Sequence, residues 1–450
     1  MARGTHCVIG AGMAGLAATR ALVDRGVDVH VYEAKPDVGG NWLDGVYDST
    51  HLITSRASTG FPEFPMPADW PDFPHHRDVG AYLRAYADHF ELRPMIRFRH
   101  EIVSVRPAAA RDGTDGWHVT YRDEEGVRHI RHYAGVVVAN GHHWDARTPH
   151  RPGTFSGRQL HAGQYRNTDD LVGPRVLVVG AGNSACDLVV EAAQRFGRAW
   201  VSMRRTNHFM PKTLFGKPIT DMTSPWLPTW VQRQFARVAL RVVHGPYARY
   251  GMPEPDHALF SRPTTINSQL MYAMRHGSVS YRPDIDHFDG RAVHFTDGRV
   301  EQFDTVVWAT GYHVSFPFLA PDLLSWTGEV PRRVLGLGVP GLAGLYLFGL
   351  IQLRGGAGPL LSRSAELLAD MVDAQSHRDR PVADEVAVVR PADSRFFVSV
   401  GEMIRQVYLE RRLMAGYRAA QRVRRRWTPA EPLLSGTEVT RVPATTPARP

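Results

Sequence analysis

Cysteine is the scarcest residue of this chain, with only Cys7 and Cys186 among 450 residues. Both lie within or beside the glycine-rich segments described below, so a disulfide framework is excluded. The first predicted strand begins almost at Met1, which leaves no room for a secretory signal. These absences indicate a cytoplasmic, reducing setting for the protein.

Long uncharged runs are also scarce, and the exception spans residues 334–353. Its twenty uncharged residues have the length of a membrane span. It contains five glycines and Pro340, however, and these residues predict short strands and turns rather than one helix. We therefore expect buried core here and no transmembrane segment.

Acidic residues are fewer than basic ones: the chain has 45 Asp and Glu and 53 Lys and Arg, which gives a net charge of +8. Such a balance raises nucleic acid or an anionic membrane as a partner. Part of the excess is local and lies in the C-terminal helical region, at Arg411, Arg412, Arg418, Arg422, Arg424, Arg425 and Arg426. No nucleic-acid-binding module surrounds them, so a solvated basic face is favoured and no nucleic-acid partner is expected. The last stretch, 428–450, lacks apolar periodicity and predicts a poorly ordered tail.

What the chain does contain is two glycine-rich turns, each placed after a buried apolar strand and before a helix. The first turn contains Gly10, Gly12 and Gly15. Glycines allow a pyrophosphate to approach the backbone, and the helix N-terminus supplies free N–H groups and partial positive charge. The following strand ends in Glu33, whose carboxylate would accept hydrogen bonds from a ribose 2′-OH and repel a 2′-phosphate.

A second close-approach turn follows Glu33 and contains Gly40, Asn41 and Trp42. An acid followed by a double glycine at this spacing looks like the FAD-binding domain of flavoproteins that bind two dinucleotides. The resemblance implies that this half of the chain binds FAD.

The other glycine-rich turn contains Gly180, Gly182, Asn183 and Ser184 and has the same strand–turn–helix context. The strand after it is followed by Arg204 and Arg205. Guanidinium groups at this position would bind a 2′-phosphate bidentately, which favours NADPH over NADH. The alternative is that the two arginines only decorate the end of a strand.

This pattern predicts an α/β fold with two dinucleotide-binding, Rossmann-like domains, the NADPH domain being inserted into the FAD domain. The expected boundaries are 1–150 and 306–427 for the FAD domain, 151–173 for a linker and 174–305 for the NADPH domain. A strand meander is expected within 101–138, and a helical excursion within 221–261. In that excursion Val231, Phe235, Val238 and Val242 follow helical spacing, which indicates a docked surface helix or a helix lying on a membrane or over a channel.

The linker carries the most specific pattern in the chain, F-x-G-x-x-x-H-x-x-x-Y, at Phe155, Gly157, His161 and Tyr165. It resembles the fingerprint of the flavin-containing monooxygenases, which are class B flavoprotein monooxygenases. In the related Baeyer–Villiger fingerprint a tryptophan commonly stands where Tyr165 is. Four further stretches agree with the family over roughly residues 6–371: 61–67, 140–143, 309–312 with Thr310 and Gly311, and 349–352 with Gln352.

The resemblance implies one FAD, one NADPH and molecular oxygen, with no metal. In that family NADPH reduces the flavin, and the reduced flavin and oxygen form a C4a-hydroperoxide. This electrophile oxygenates a soft nucleophile, typically an amine nitrogen or a sulfide sulfur of a small molecule. A Baeyer–Villiger or other C-oxygenating reaction is the alternative, and a homodimer is left open.

One position departs from the family pattern. Ile53 aligns with an asparagine that in the family faces the flavin and NADP+, and isoleucine can neither donate nor accept a hydrogen bond. Either Thr54 or Ser55 compensates, or the site prefers another substrate or releases hydrogen peroxide. His161 has two interpretations, an acid–base group or an anchor of the linker. Gln352 would either bind the flavin pyrimidine or satisfy buried backbone.

Three rival functions share parts of this pattern. A disulfide reductase would need a redox cysteine pair near the flavin, which the sequence lacks. An NADPH oxidase that forms only peroxide is compatible with Ile53. A flavin-binding interaction protein without turnover is disfavoured, because it would not need specificity for NADPH.

Overall fold

The computed structural model describes residues 4–222, 229–378, 380–425 and 440–441. Two five-stranded parallel sheets form the centres of two dinucleotide-binding domains. The first sheet has the strand order Leu345–Leu347, Gly135–Val138, His6–Ile9, Val29–Glu33 and Ile96–Phe98. Its outer strand, Leu345–Leu347, comes from a part of the chain that follows the second sheet, so the NADPH domain is inserted into the FAD domain.

Helices cover this first sheet, and most of them contribute apolar side chains to a shared core. They are Met13–Val23, Asn41–Asp44, Arg56–Thr59, His76–His89, Gly358–Gln375, Val382–Ala387 and Val400–Arg425. Met13–Val23 packs against Gly358–Gln375, which in turn packs against Val400–Arg425. Leu16, Leu22 and Leu367 are completely buried between them. The C-terminal helix is thus joined to the core through a second helix layer.

An antiparallel meander interrupts the first domain, as predicted. Its strands are Glu101–Pro107, Trp117–Arg122 and Arg128–Tyr133. Trp117 is fully buried, and its indole N–H donates to the carbonyl of Ala343. Thr440–Arg441 adds a two-residue strand to the edge of the meander. The rest of the tail predicted over 428–450 lies outside the described residues.

The second sheet has the order Arg158–His161, Thr305–Trp308, Val176–Val179, Ala199–Ser202 and Val279–Arg282, again with all neighbours parallel. Helices Asn183–Phe196 and Gln269–Arg275 pack against it. A four-stranded sheet lies beside it, with the strands Gly153–Phe155, Ile285–Gly290, Ala292–Phe295 and Val300–Gln302. The remaining short strands pair as Asp145–Ala146 with Tyr312–His313, Trp326–Thr327 with Val330–Pro331, Phe209–Met210 with Thr265–Ile266, Thr213–Leu214 with Lys217–Pro218, and Gln352–Arg354 with Phe397–Ser399.

The helical excursion contains one long helix, Thr229–Val243. Residues 223–228 of the predicted excursion lie outside the described part. The predicted apolar row is not the docked face, because Phe235, Val238 and Val242 are exposed. The helix docks instead through Ala236 and Leu240, which bury against Met210 and Leu259. The spacing identified the helix correctly but gave no information on which side faces the protein.

The uncharged segment 334–353 folds into turns and short strands, as predicted, and places the fully buried strand Leu345–Leu347 in the first sheet. Within residues 4–222, 229–378 and 380–425, no helix combines the length and hydrophobicity needed to cross a bilayer.

Candidate active site

The first phosphate turn, residues 10–15, is closely packed on itself. Gly10 has φ +99°, and a Cβ built there would lie 2.7 Å from the carbonyl oxygen of Ala139. A Cβ at Gly15 would lie 1.9 Å from the carbonyl oxygen of Gly10. Gly12 is the N-cap of helix Met13–Val23, and neither a side-chain cap nor an acidic residue occupies its first turn. The N–H groups at this helix end are therefore available to an anion.

Glu33 lies at the end of the second strand, directly beside this turn. Its carboxylate is buried, and its two oxygens accept hydrogen bonds from the backbone N–H groups of Ala11 (2.7 Å) and Lys35 (2.9 Å). Each carboxylate oxygen retains a lone pair for a hydroxyl donor. The backbone thus fixes the orientation of Glu33, as a ribose-binding acid requires.

The second glycine pair closes the other side of the first turn. Gly40 has φ +57°, and a Cβ there would lie 3.1 Å from the Cα of Gly12, so the two glycines face each other. Asn41 donates from its side-chain amide to the carbonyl of His143, and Trp42 packs partly buried against the first core. The structure therefore brings Gly12, Gly40 and Glu33 to one edge of the sheet.

The second phosphate turn, residues 180–185, has the same strand–turn–helix form. Gly180 has φ +147°, and a Cβ there would lie 2.3 Å from the carbonyl oxygen of Ala309. Gly182 caps helix Asn183–Phe196 without a side-chain cap, and a Cβ there would meet nothing within 4 Å. The side-chain oxygen of Asn183 accepts from the N–H of Ile266, and Ser184 is half-buried in the first turn of the helix. This turn is more open than the first.

Arg204 and Arg205 follow the strand Ala199–Ser202, and both are exposed. Arg205 forms an ion pair with Asp256 at 3.5 Å. Arg204 forms no ion pair with any residue in the described part of the chain. A guanidinium that is exposed and unpaired is the better candidate for a 2′-phosphate, since no internal partner competes for it.

The linker fingerprint packs at the junction of the two domains. Phe155 is buried against Phe288, and a Cβ at Gly157 would lie 2.5 Å from the carbonyl oxygen of Asp304. Tyr165 is completely buried, and its hydroxyl donates to Glu191 at 2.6 Å. These residues hold the linker against the second domain.

His161 is buried, and both of its ring nitrogens have partners. The N–H of Gly163 donates to Nδ1 at 3.1 Å, which makes Nε2 the protonated nitrogen that donates to the carbonyl of Gly311 at 3.1 Å. Burial lowers the pKa of His161 below its usual value. This geometry supports the linker-anchor interpretation, because neither nitrogen is available to a substrate.

A polar bridge between the domains was missed by sequence reasoning. The Tyr47 hydroxyl in the first domain donates to Asp187 at 2.7 Å, and Asn267 donates to the other carboxylate oxygen at 2.7 Å. Burial raises the pKa of Tyr47 and that of Asp187. Asp187 lies on the helix after the second turn, so the bridge fixes that helix relative to the first domain. No local pattern marks the pair, since 140 residues separate its members.

The loop 53–55 lies where the excursion meets the first domain. Ile53 is half-buried and the Thr54 hydroxyl bonds to that of Thr59 at 2.6 Å. Ser55 is buried, caps helix Arg56–Thr59, and its hydroxyl donates to Asp221 at 2.5 Å. Both hydroxyls are therefore engaged within the protein, and neither is free to replace the missing asparagine.

The two remaining candidate stretches lie at strand ends. The Thr310 hydroxyl donates to the carbonyl of Arg147, and Gly311 has φ +83° beside His161. The backbone N–H of Gln352 donates to the carbonyl of Phe396 at 2.7 Å. Its half-buried side-chain amide makes no hydrogen bond within the described residues, so it does not satisfy buried backbone there. That amide remains a candidate for a ligand.

Arg333 is a buried cation that the sequence did not reveal. It is 1 % exposed, and its guanidinium donates to the carbonyls of Leu350 (2.7 Å) and Arg395 (2.6 Å). Burial lowers its pKa to about 10. His142 lies nearby, and its own burial, together with the charges of His143 and Arg333, lowers its pKa to about 3. Arg333 thus fixes the backbone that leads to Gln352.

The residues present fit two dinucleotides. Both phosphate turns end in uncapped helix N-termini without an acid in the first turn. A Cβ would clash with backbone at Gly10 and Gly15 in the first turn and at Gly180 in the second. Glu33 stands beside the first turn, and Arg204 follows the strand beside the second. FAD suits the first set of donors and acceptors, and NADPH suits the second.

The chain is similar to known flavin-binding monooxygenases. A family profile described as "Flavin-binding monooxygenase-like" matches residues 5–361. Flavin-containing monooxygenase 5 of Oryctolagus cuniculus is 30% identical over 379 residues, which cover 78% of this chain and 70% of that protein. Dimethylaniline monooxygenase [N-oxide-forming] 2 of Rattus norvegicus is 32% identical over 349 residues, covering 70% and 63% respectively.

Solved structures share the fold at lower identity. Cyclohexanone monooxygenase in an open form superposes with a TM-score of 0.69 at 18% identity, covering 93% of this chain and 98% of that one. S-allyl-L-cysteine S-oxygenase of Allium sativum gives 0.59 at 19% identity, covering 92% and 82%. The OTEMO complex with FAD and NADP gives 0.64 at 18% identity, covering 82% and 85%. With its two dinucleotide sites and the match over residues 5–361, the chain is an FAD- and NADPH-dependent monooxygenase that belongs to the flavin-binding monooxygenase-like family.

Proposed function

We propose that this enzyme transfers one atom of O2 to an amine nitrogen or a sulfide sulfur of a small molecule, by way of the flavin C4a-hydroperoxide that its family resemblance implies. NADPH supplies two electrons, one oxygen atom enters the product and the other leaves as water. The observation that carries the proposal is the pairing of two differently equipped phosphate turns with the fingerprint that contains His161 and Tyr165.

FAD, when bound, supplies the redox chemistry and the activation of oxygen. The turn of residues 10–15 would hold its pyrophosphate at the end of helix Met13–Val23, and Glu33 would accept from its ribose. Gln352 offers an unengaged amide for the flavin ring. Residues 180–185 would hold the pyrophosphate of NADPH, and Arg204 its 2′-phosphate.

The remaining residues position these parts and exclude water. Tyr47 and Asp187 join the two domains, so the second turn keeps a fixed position relative to the first. His161 pins the linker to Gly311 as a neutral imidazole, since burial disfavours its charged form. Ile53 adds an apolar wall near the cofactors and contributes no hydrogen bond.

Ile53 favours a second candidate, an NADPH oxidase that releases hydrogen peroxide. Thr54 and Ser55 cannot compensate without giving up their bonds to Thr59 and Asp221. A Baeyer–Villiger reaction is the third candidate. It is less favoured because the fingerprint carries Tyr165, whose hydroxyl is committed to Glu191, where the related fingerprint has tryptophan.

Isotope labelling separates these candidates. The FAD-loaded enzyme is given NADPH, labelled O2 and a panel of amines, sulfides, indoles and ketones, and product mass is compared with peroxide yield. The proposal expects one labelled oxygen in an N-oxide or S-oxide. Labelled ester from ketones alone would assign a Baeyer–Villiger reaction, and NADPH use with stoichiometric peroxide and no labelled product would assign an oxidase.

A further inference from the structure

A cavity of about 690 Å³ lies where the helix Gly358–Gln375, the C-terminal helix Val400–Arg425 and the helical excursion come together. Its wall includes Ser58, Thr220 and Gly356. This volume falls within the range of small-molecule sites in proteins, roughly 300–1,000 Å³. We call it the helix cavity.

The helix cavity adjoins the two segments that are proposed to face the flavin. Ser58 lies five residues after Ile53, and its N–H donates to the hydroxyl of Ser55. Gly356 follows the strand that begins at Gln352, about four residues or roughly 13 Å away along an extended chain. A Cβ at Gly356 would lie 2.0 Å from the carbonyl oxygen of Ser58, so these two segments touch in the cavity wall.

The surface of the helix cavity is mostly apolar, and the charged side chains that line it are of one sign. Pro359, Ile404 and Leu409 contribute the apolar surface, and Arg363 and Arg405 contribute two guanidinium groups. No Asp or Glu lines it in the described part of the chain. Arg363 and Arg405 are both exposed, and neither forms an ion pair with a described residue.

A second cavity of about 350 Å³ lies next to the first and shares Arg363 and Tyr408 with it. Arg411 and Arg418 also line it, and both are ion-paired with the buried carboxylate of Asp370. These paired arginines are structural, and they line only the second cavity. Among the described residues, Arg363 and Arg405 are the arginines without an ion pair that line the helix cavity. A concave site with one sign of charge raises the local concentration of oppositely charged ligands.

We propose that the helix cavity binds the oxygenated substrate, and that this substrate has an apolar body carrying the amine or sulfide and a carboxylate that pairs with Arg363 or Arg405. The inference rests on the proposed function and deepens it. For a sulfide, one oxygen atom of O2 forms the S–O bond, NADPH and a proton reduce the other to water, and the carboxylate remains unchanged.

A matched pair of sulfides tests this, thioanisole and 4-(methylsulfanyl)benzoate, which differ only by the carboxylate. Binding is measured by titration calorimetry on the FAD-loaded enzyme with NADP+, and oxygenation is measured separately with NADPH. We expect the carboxylate to bind about five- to tenfold more tightly than the neutral sulfide. The double variant Arg363→Ala/Arg405→Ala should remove this preference and leave thioanisole binding within twofold.

Two control variants accompany the comparison of the two sulfides. The variant Arg77→Ala/Arg128→Ala removes two exposed arginines that do not line the cavity, and it should keep the preference. Ile404→Trp fills the cavity and should weaken binding of both sulfides at least fivefold, while flavin reduction by NADPH is unchanged.

Equal binding of the two sulfides, or a preference that survives in Arg363→Ala/Arg405→Ala, would overturn the proposal. Unchanged binding of both sulfides in Ile404→Trp would show that the helix cavity is not the substrate site. Selective binding without any oxygenated product would support the cavity assignment and reject the proposed function, so the two failures are distinguishable.

Discussion

The two phosphate turns follow one sequence pattern but differ in how tightly the protein encloses them. Gly15 packs against Gly10 and the neighbouring Gly40 faces Gly12, whereas the corresponding helix residue of the second turn is Ala185 and Gly182 has open space. The recognition residues differ in the same way. Glu33 is buried and fixed by two backbone N–H groups, and Arg204 is exposed and unpaired within the described residues.

This difference matches two cofactor roles. An enclosed turn with a preorganised acid suits a cofactor that stays bound through many turnovers. An open turn with an exposed guanidinium suits a co-substrate that must enter and leave, because little protein has to rearrange when it exchanges. We therefore propose that FAD is resident at the first turn and that NADPH exchanges at the second.

The largest expected effect comes from comparing a glycine-to-alanine substitution in each of the two turns. Gly15→Ala places a Cβ where the Gly10 carbonyl oxygen lies, so the helix must move away from the turn. We expect most bound flavin to be lost, measured as visible flavin absorbance per protein. Gly182→Ala is the matched control and should keep full flavin content. Equal flavin content in both variants would contradict the assignment of the first turn to FAD.

The second-largest effect concerns Arg204, the residue that stands at the second turn where Glu33 stands at the first. Arg204→Ala should raise the KM for NADPH roughly 10- to 100-fold, since a charge-assisted hydrogen bond to phosphate contributes about 1.5–3 kcal/mol. The KM for NADH should hardly change. Arg205→Ala should have a smaller effect, because Arg205 is already paired with Asp256. Equal increases in the KM for NADPH and in the KM for NADH would show that Arg204 does not bind the 2′-phosphate.

Ile53→Asn has a smaller predicted effect, at the position where we propose that the two cofactors meet. A restored donor contributes about 0.5–1.5 kcal/mol, so peroxide release per NADPH should fall about two- to tenfold. Coupling is measured as labelled product and peroxide per NADPH consumed. Ile53→Val keeps the apolar wall and serves as the control. If Ile53→Asn leaves peroxide release unchanged, the stabilising donor lies elsewhere.

The smallest effect concerns His161. Burial lowers its folded-state pKa, so the folded protein keeps it neutral while the unfolded chain takes up a proton below about pH 6.5. The contribution of neutral His161 to the free energy of unfolding is therefore present above pH 6.5. It is lost as the pH falls through the folded-state pKa. The midpoint of thermal unfolding should drop less between pH 7.5 and 5.5 in His161→Gln than in the parent. If the midpoint drops equally in His161→Gln and in the parent, His161 is not the source of the pH dependence.

The fold was predictable from sequence because each turn repeats a strand–turn–helix context that chance rarely supplies twice. Local patterns also singled out Glu33 and Arg204 as candidate recognition residues, since both stand at or just after the end of a strand that the pattern identifies. Tyr47 and Asp187 were not predictable, because long-range packing creates their hydrogen bond. Arg333 was missed for a similar reason, since its partners are main-chain carbonyls that carry no sequence signal. The docked face of helix Thr229–Val243 was also unpredictable, because small Ala236 rather than the larger apolar row fits the contact.

The contrast between the two turns is tested most directly by cofactor retention. The enzyme is incubated with excess FAD and NADP+, passed through gel filtration, and its bound nucleotides are released and quantified by chromatography. We predict about one FAD per chain and little NADP+, with NADPH then reducing the bound flavin under anaerobic conditions. Loss of FAD with retention of NADP+, or no flavin reduction by NADPH, would contradict it.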